Sequence, residues 1–201
     1  MPYEERYEKA LVSMKAHEAF ISSFIQEHLD DQAVAKLKGV WQEGVKPIPE
    51  DASFEEKYEV TYGNWVWETK NAYRFIRERL GKEGLQQFVH TEVEGHKREY
   101  AGPAVFLLRV VRAFSPGSAF EMLAKKAAYQ MQWLTPFSVS ELTQERAVFD
   151  VPRCKLLDFR DTNDMCFYGC QRAYPTWMAE LFNVEVKIER KQNGCMMTLN
   201  P

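Results

Sequence analysis

The spacing of apolar residues changes once along this chain, near residue 136, and that change limits the fold more than any other feature. Before it, apolar residues recur at intervals of three and four, which favours amphipathic helices. After it, they alternate with polar residues, as in strands with one buried face. The sequence therefore predicts an α+β fold, in which a helical N-terminal two thirds packs on a small antiparallel sheet.

The helical part is predicted to contain several amphipathic segments. Ser53 and Glu56 match a capping box at the start of one helix, and Gly81 is predicted to end it. The segment from residue 83 to residue 101 is predicted to be a solvated polar helix. Its pattern H-x-E-x-E-x-H, over residues 90–96, has the alternative of a small metal-binding group, although histidines six residues apart do not share one helix face. The predicted helices span residues 4–29, 31–41, 53–80, 83–101, 104–114 and 118–134.

A proline-rich loop at residues 45–53 is the predicted boundary between two domains. Residues 1–50 would form a helical arm, and residues 51–201 an α+β domain with a cysteine-rich C-terminal segment. The long helix of the arm is a candidate for docking onto a partner or a second copy. This arrangement predicts a homo-oligomer formed through the N-terminal helix.

Two β-hairpins are predicted in the C-terminal third. The first turns at Thr143–Gln144, and the second has a two-residue turn at Asn193–Gly194. A helix over residues 170–182, with Pro175 in its first turn, is predicted to cross between them. If the hairpins pair, they form a single antiparallel sheet.

Composition and charge exclude some classes of function. The chain of 201 residues is 45% hydrophobic and 27% charged, which is typical of a globular protein. Its net charge of -3, without a basic stripe, argues against sequence-independent binding of nucleic acid. No apolar run approaches the ~18 residues of a membrane-spanning helix, and no secretory signal is recognised. A cytoplasmic protein without a membrane partner is therefore expected.

All four cysteines lie in the last 48 residues, at Cys154, Cys166, Cys170 and Cys195. In a reducing compartment, clustered cysteines more often indicate a metal or catalysis than disulfides. Four thiolates would suit a closed Zn²⁺ site or an iron–sulfur cluster, and three would leave a position open for a catalytic metal. The alternative is that small thiols simply pack in the core.

Four further residues are candidates for ligand binding. Arg160 and Arg172 would anchor an anionic group of a substrate, or lie on the surface as ordinary solvated charges. Tyr62 and Trp65 belong to an aromatic stripe at helical spacing, which indicates core packing or a pocket for a flat hydrophobic ligand. The sequence has no Gly-rich phosphate loop and no G-x-S-x-G motif, so nucleotide binding and serine hydrolysis have no support.

The C-terminal third resembles two known groups of proteins. The segments FSVSELTQERAVFDVPRC, CFYGCQ and FNVEVKIERKQNGCMMTLNP are similar in order to the four-vinyl-reductase domain and to the aminothiazoline-carboxylate hydrolase-like family. The first resemblance implies zinc held by cysteines and a Glu beside a small-molecule pocket, with Cys166, Cys195 and Glu189 as ligands. The second implies a thiol nucleophile, Cys170 or Cys166, acting on a small sulfur heterocycle.

Three hypotheses follow from the sequence. The first is a small-molecule-binding protein with a cysteine-ligated, zinc-like metal beside a hydrophobic pocket. The second is a thiol-dependent hydrolase or reductase that acts on a small heterocyclic or aromatic substrate. The third is a helical interaction or subunit protein.

Overall fold

The computed structural model describes residues 1–99 and 102–201. Helices form the first part of the chain and a four-stranded antiparallel sheet lies in the last part, so the predicted α+β class is confirmed. The elements are α1 (Tyr3–His28), α2 (Asp31–Gly44), α3 (Phe54–Glu99), α4 (Pro103–Phe114), α5 (Pro116–Met131), β1 (Ser138–Leu142), β2 (Ala147–Val151), a 3₁₀-helix (Lys155–Asp158), a π-helix (Met165–Ala173), α6 (Tyr174–Phe182), β3 (Glu185–Arg190) and β4 (Cys195–Asn200).

The start of α3 is set by the predicted capping box. The Ser53 backbone N–H and hydroxyl each donate to the Glu56 carboxylate at 2.8 Å, and the Glu56 N–H donates back to the hydroxyl at 3.3 Å. The predicted helix end at Gly81 is confirmed, because the backbone of Gly81 is not helical and two helices meet there at a kink within the range of α3. Gly81 adopts φ 68°, a left-handed conformation that glycine enters without steric cost, so one residue forms the kink.

The two predicted hairpins do pair in one sheet, with strand order β1-β2-β4-β3. The turn of the second hairpin lies one residue before the predicted Asn193–Gly194. The strands end at the pair Arg190 and Cys195, and the Lys191 N–H donates to the Gly194 carbonyl at 2.8 Å, which leaves Gln192 and Asn193 at the tip. The Asn193 carbonyl accepts a hydrogen bond at 2.7 Å from the Cys154 backbone N–H.

The chain divides into two compact units. Unit 1 comprises Met1–Phe88 with Asp161–Met165, and unit 2 comprises Val89–Arg160 with Cys166–Pro201. The predicted division at residue 50 stays a prediction. Of the helices that the structure describes, none is both long enough and apolar enough to span a bilayer.

Each unit has its own buried residues. In unit 2, α5 and α6 contribute Phe120, Ala124 and Met178 to a core with Phe149 and Leu199 of the sheet. In unit 1, the largest fully buried side chains of α1, α2 and α3 are Ile21, Phe24, Ile25, Leu37, Tyr62, Val66, Ile76, Leu85 and Phe88.

One buried carboxylate in unit 1 predicts a pH dependence of stability. Glu68 is only 9% exposed, and its pKa is raised from 4.5 to about 7, first by burial and then by the nearby Glu18 charge. A carboxyl pKa raised by folding stabilises the protein below the unfolded pKa, and that contribution is lost as pH rises through about 7. The unfolding free energy should therefore fall between about pH 5 and pH 8.

Glu68→Gln should reduce this fall by at most about 3 kcal/mol, since one pKa unit corresponds to about 1.4 kcal/mol. Urea unfolding at the two pH values measures the difference. Glu83→Gln, at an exposed position on the same helix, should keep the wild-type pH dependence. Equal pH dependence in Glu68→Gln and the wild type would contradict this interpretation.

Candidate functional site

Cys154 and Cys195 lie at neighbouring strand ends in unit 2. Cys195 begins β4, where it pairs with Val151, the last residue of β2. Cys154 follows three residues after β2, and its backbone N–H donates to the Asn193 carbonyl at 2.7 Å. The sheet therefore fixes the backbone of both cysteines.

Cys166 and Cys170 lie on the π-helix, one of the rarest helix types and one often found at functional sites. In a helix with i→i+5 hydrogen bonds, residue i+4 lies slightly less than one turn from residue i, so both thiols share a face. The helix predicted from residue 170 begins instead at Tyr174, as α6. Pro175 lies in its first turn, as predicted.

The four thiols interact electrostatically. Burial raises the pKa of Cys170, and the charges of Cys166, Cys154 and Cys195 raise it further, followed by the Glu92 carboxylate. Burial is also the main cause that raises the pKa of Cys195 to about 11, with Cys154 and Cys166 adding to it. The Cys170 and Cys195 thiols are therefore protonated at neutral pH, although all four cysteines are partly exposed.

Opposing effects act on the pKa of the Cys154 thiol. Burial raises its pKa, whereas the backbone N–H groups of Leu156 and Leu157 and the hydroxyl of Thr135 lower it by hydrogen bonding. The single Thr135 hydroxyl proton also has a competing acceptor, the Arg153 carbonyl at 3.3 Å. The two backbone N–H groups would stabilise a thiolate at Cys154 once its proton is lost.

Glu92 belongs to the H-x-E-x-E-x-H pattern, but its burial was not predicted. The helix over residues 83–101 was expected to be solvated, but Glu92 Oε2 is buried and has no hydrogen-bond partner within residues 1–99 and 102–201. Burial raises its pKa from 4.5 to about 7. The sequence did contain a signal for this burial, because Glu92 follows the apolar Phe88 by four residues and so shares its helix face; Phe88 is buried.

The donor atoms are not arranged as a preformed metal centre. In the described part of the chain, no three His, Cys, Asp or Glu side chains form a group that could hold a metal ion. A metal bound by Cys154, Cys166, Cys170 and Cys195 therefore stays a prediction.

A cleft of about 270 Å³ opens beside Cys154. Arg153 on its wall is exposed, and its Nε and Nη2 donate to Asp158 Oδ1 at 3.0 and 2.8 Å. The sequence analysis also missed Arg153, although its position next to Cys154 was a signal. The cleft is lined by Pro152, Arg153, Cys154, Leu157, Asp158 and Asn193.

A second, wider groove of about 590 Å³ lies along α6 and β3. Its described lining residues include Glu180 and Glu185 but no cysteine. The smaller cleft is therefore the better candidate for chemistry that uses a thiol.

The four predicted ligand-binding residues lie elsewhere. Arg160 and Arg172 are exposed in unit 2, and the Arg172 guanidinium lies 5.1 Å from the centre of the Phe167 ring. In unit 1, Tyr62 is fully buried, with its ring 5.7 Å from that of Trp65. None of the four is among the described lining residues of the cleft or of the groove, so their role in binding stays a prediction.

Comparisons with known proteins do not assign a family. No family model matches the chain, and no curated protein matches it. Among solved structures, it is similar to the Fe(II) unliganded form of a mutant H-NOX protein from K. algicida, at 16% identity and a TM-score of 0.41 over 90% of this chain and 92% of that one. That score is too low to indicate a shared fold, and nothing about this chain is inferred from it.

Proposed function

We propose that this chain is a small-molecule-binding protein whose cysteines, Cys154, Cys166, Cys170 and Cys195, hold a soft divalent metal. The supporting observation is that Cys154 and Cys166 raise the pKa values of both Cys170 and Cys195. If all four thiols lost their protons, the thiolates would repel one another, and a bound cation would remove that repulsion. Zinc suits such a donor set best, with an iron–sulfur cluster as the alternative.

Metal binding would change the protonation of the site. Since burial keeps the Cys170 and Cys195 thiols protonated at neutral pH, the metal must displace their protons. The thiols would also have to move toward a common point, because they do not form a metal-binding group as the described residues stand. The hydrogen-bond donors around Cys154 would then stabilise the ligating thiolate.

Glu92 is the carboxylate best placed to accompany these thiols. The resemblance to the four-vinyl-reductase domain implied Glu189 in that role, but Glu189 is exposed and pairs with Lys187 at 2.7 Å. Glu92 acts directly on the pKa of Cys170, and its Oε2 has no hydrogen-bond partner in the described residues. We therefore assign the carboxylate role to Glu92.

The cleft beside Cys154 is the proposed ligand site. Its volume of about 270 Å³ suits a ligand smaller than a typical drug molecule. The Arg153 guanidinium offers a planar set of donors for an anionic group if it exchanges its exposed bond with Asp158.

Elemental analysis tests the metal. Protein purified under reducing conditions without chelator should contain about one equivalent of zinc, as expected for a single thiolate site. The same protein dialysed against chelator and then reloaded is the control for adventitious metal. Less than about half an equivalent of any metal would count against the proposal.

A second candidate function, a thiol-dependent hydrolase, is favoured by two contacts. Cys154 lines the cleft, and Gln171 Nε2 donates to Cys166 Sγ at 3.6 Å, which would orient that thiol. If this function is correct, hydrolysis of a small sulfur heterocycle survives chelator treatment. One Cys→Ser change then abolishes turnover without lowering the melting temperature. An equal loss of folding in all four Cys→Ser variants would indicate a structural site.

A further inference from the structure

Helix α4 exposes an apolar face in unit 2. Phe106 is 70% exposed, Leu107 62%, Val110 37% and Phe114 87%. At 3.6 residues per turn, positions 106, 110 and 114 follow one stripe along the helix, with position 107 beside it. Contiguous exposed apolar surface of this kind marks an interaction site more often than a free surface.

The stripe is symmetric about Val110, which lies four residues from Phe106 and four from Phe114. If two copies of α4 cross antiparallel on a twofold axis at Val110, Phe106 of each copy meets Phe114 of the other. The small valines then lie at the crossing point, where the helices approach most closely. We infer that α4 is a self-association face that binds a second copy of this chain in this antiparallel arrangement.

The exposed area agrees with a weak dimer. An aromatic side chain offers about 150–250 Å², so the four residues together expose roughly 400–500 Å² per copy. Pairing two copies would bury at most roughly 900 Å², below the ~1,000 Å² that marks a specific interface. A weak, transient dimer is therefore expected, not a permanent one.

The charges of α4 lie outside the stripe, whose positions 106, 107, 110 and 114 are all uncharged. The Arg112 guanidinium donates to the carbonyl groups of Phe182 and Asn183 in its own chain. The exposed Arg109 is next to Val110 but about 100° around the helix from it, so it flanks the crossing point and does not face the partner helix.

Sedimentation velocity of the reduced full chain, over about 1–100 µM, tests the inference. The mass should rise from one chain to two, and Val110→Glu should raise the dissociation constant at least about tenfold. Val12→Glu, at a position that is 67% exposed on α1, is the matched control and should leave the dimer unchanged. If Val110→Glu fails to fold by circular dichroism, Phe114→Ser, at the exposed end of α4, replaces it.

Three results would overturn the inference. The first is a wild type that sediments as a single chain at every concentration. The second is dimerisation of Val110→Glu and Phe114→Ser as tight as that of the wild type. The third is a dimer lost only in Val12→Glu or after deletion of residues 1–50, which would assign association to the N-terminal helix.

Discussion

Cys170→Ser is expected to lower zinc affinity by at least about two orders of magnitude, since a four-ligand site contributes about 10–16 kcal/mol and one ligand is lost. Cys170 is the most informative of the four, because Cys166, Cys154 and Cys195 all raise its pKa. A serine hydroxyl is a harder ligand than a thiolate and does not lose its proton near neutral pH. Competition with a chromogenic chelator measures the affinity.

The matched control is Met122→Ser, which removes a sulfur atom from an exposed position in the same unit. It should bind zinc like the wild type, and zinc should raise the melting temperature of both proteins. Zinc should leave the melting temperature of Cys170→Ser nearly unchanged, because a ligand stabilises only in proportion to its affinity. Equal affinity in Cys170→Ser and the wild type would remove Cys170 from the site.

Gly194→Ala is expected to destabilise unit 2 by about 3 kcal/mol, at the upper end of the cost of overpacking. A Cβ atom at Gly194 would overlap the Val151 carbonyl oxygen and press on the Pro152 backbone. Since both neighbours are main-chain atoms, the loop has to move. Its displacement would break the hydrogen bond between Cys154 and Asn193 and shift Cys195. Chemical denaturation measures the loss, and zinc affinity should fall with it.

Gly95→Ala is the control for glycine replacement in the same unit. A Cβ atom there meets nothing within 4 Å, and the residue lies inside α3. Alanine should therefore stabilise the helix by about 0.5–1 kcal/mol. A Gly194→Ala variant as stable as the wild type would mean that the loop does not hold the two strand ends together.

The fold class could be predicted because local patterns decide it. The alternation of Val184, Val186 and Ile188 with charged residues is visible without any tertiary contact, and so is the capping box of Ser53 and Glu56. The break at Gly81 could be predicted as well, because glycine enters the positive-φ conformation found there without steric cost.

The candidate site was predicted only where the residue type itself indicates chemistry. Cysteines are rare enough to stand out, so Cys154, Cys166, Cys170 and Cys195 were found at once. The burial of Glu92 and the cleft beside Arg153 were not predicted, because a single glutamate or arginine is ordinary in sequence and becomes informative only through its surroundings in the fold. The π-helix that presents two of the thiols has no recognised sequence signal.

Cobalt substitution tests the central claim most directly. Co²⁺ added to the reduced, chelator-treated protein should produce sulfur-to-cobalt charge-transfer absorption, together with the visible bands of a tetrahedral site. The intensity of the charge-transfer band should saturate at one equivalent, and one equivalent of zinc should abolish it. A spectrum that stays that of hexaaqua cobalt throughout the titration would show that Cys154, Cys166, Cys170 and Cys195 do not form a metal site.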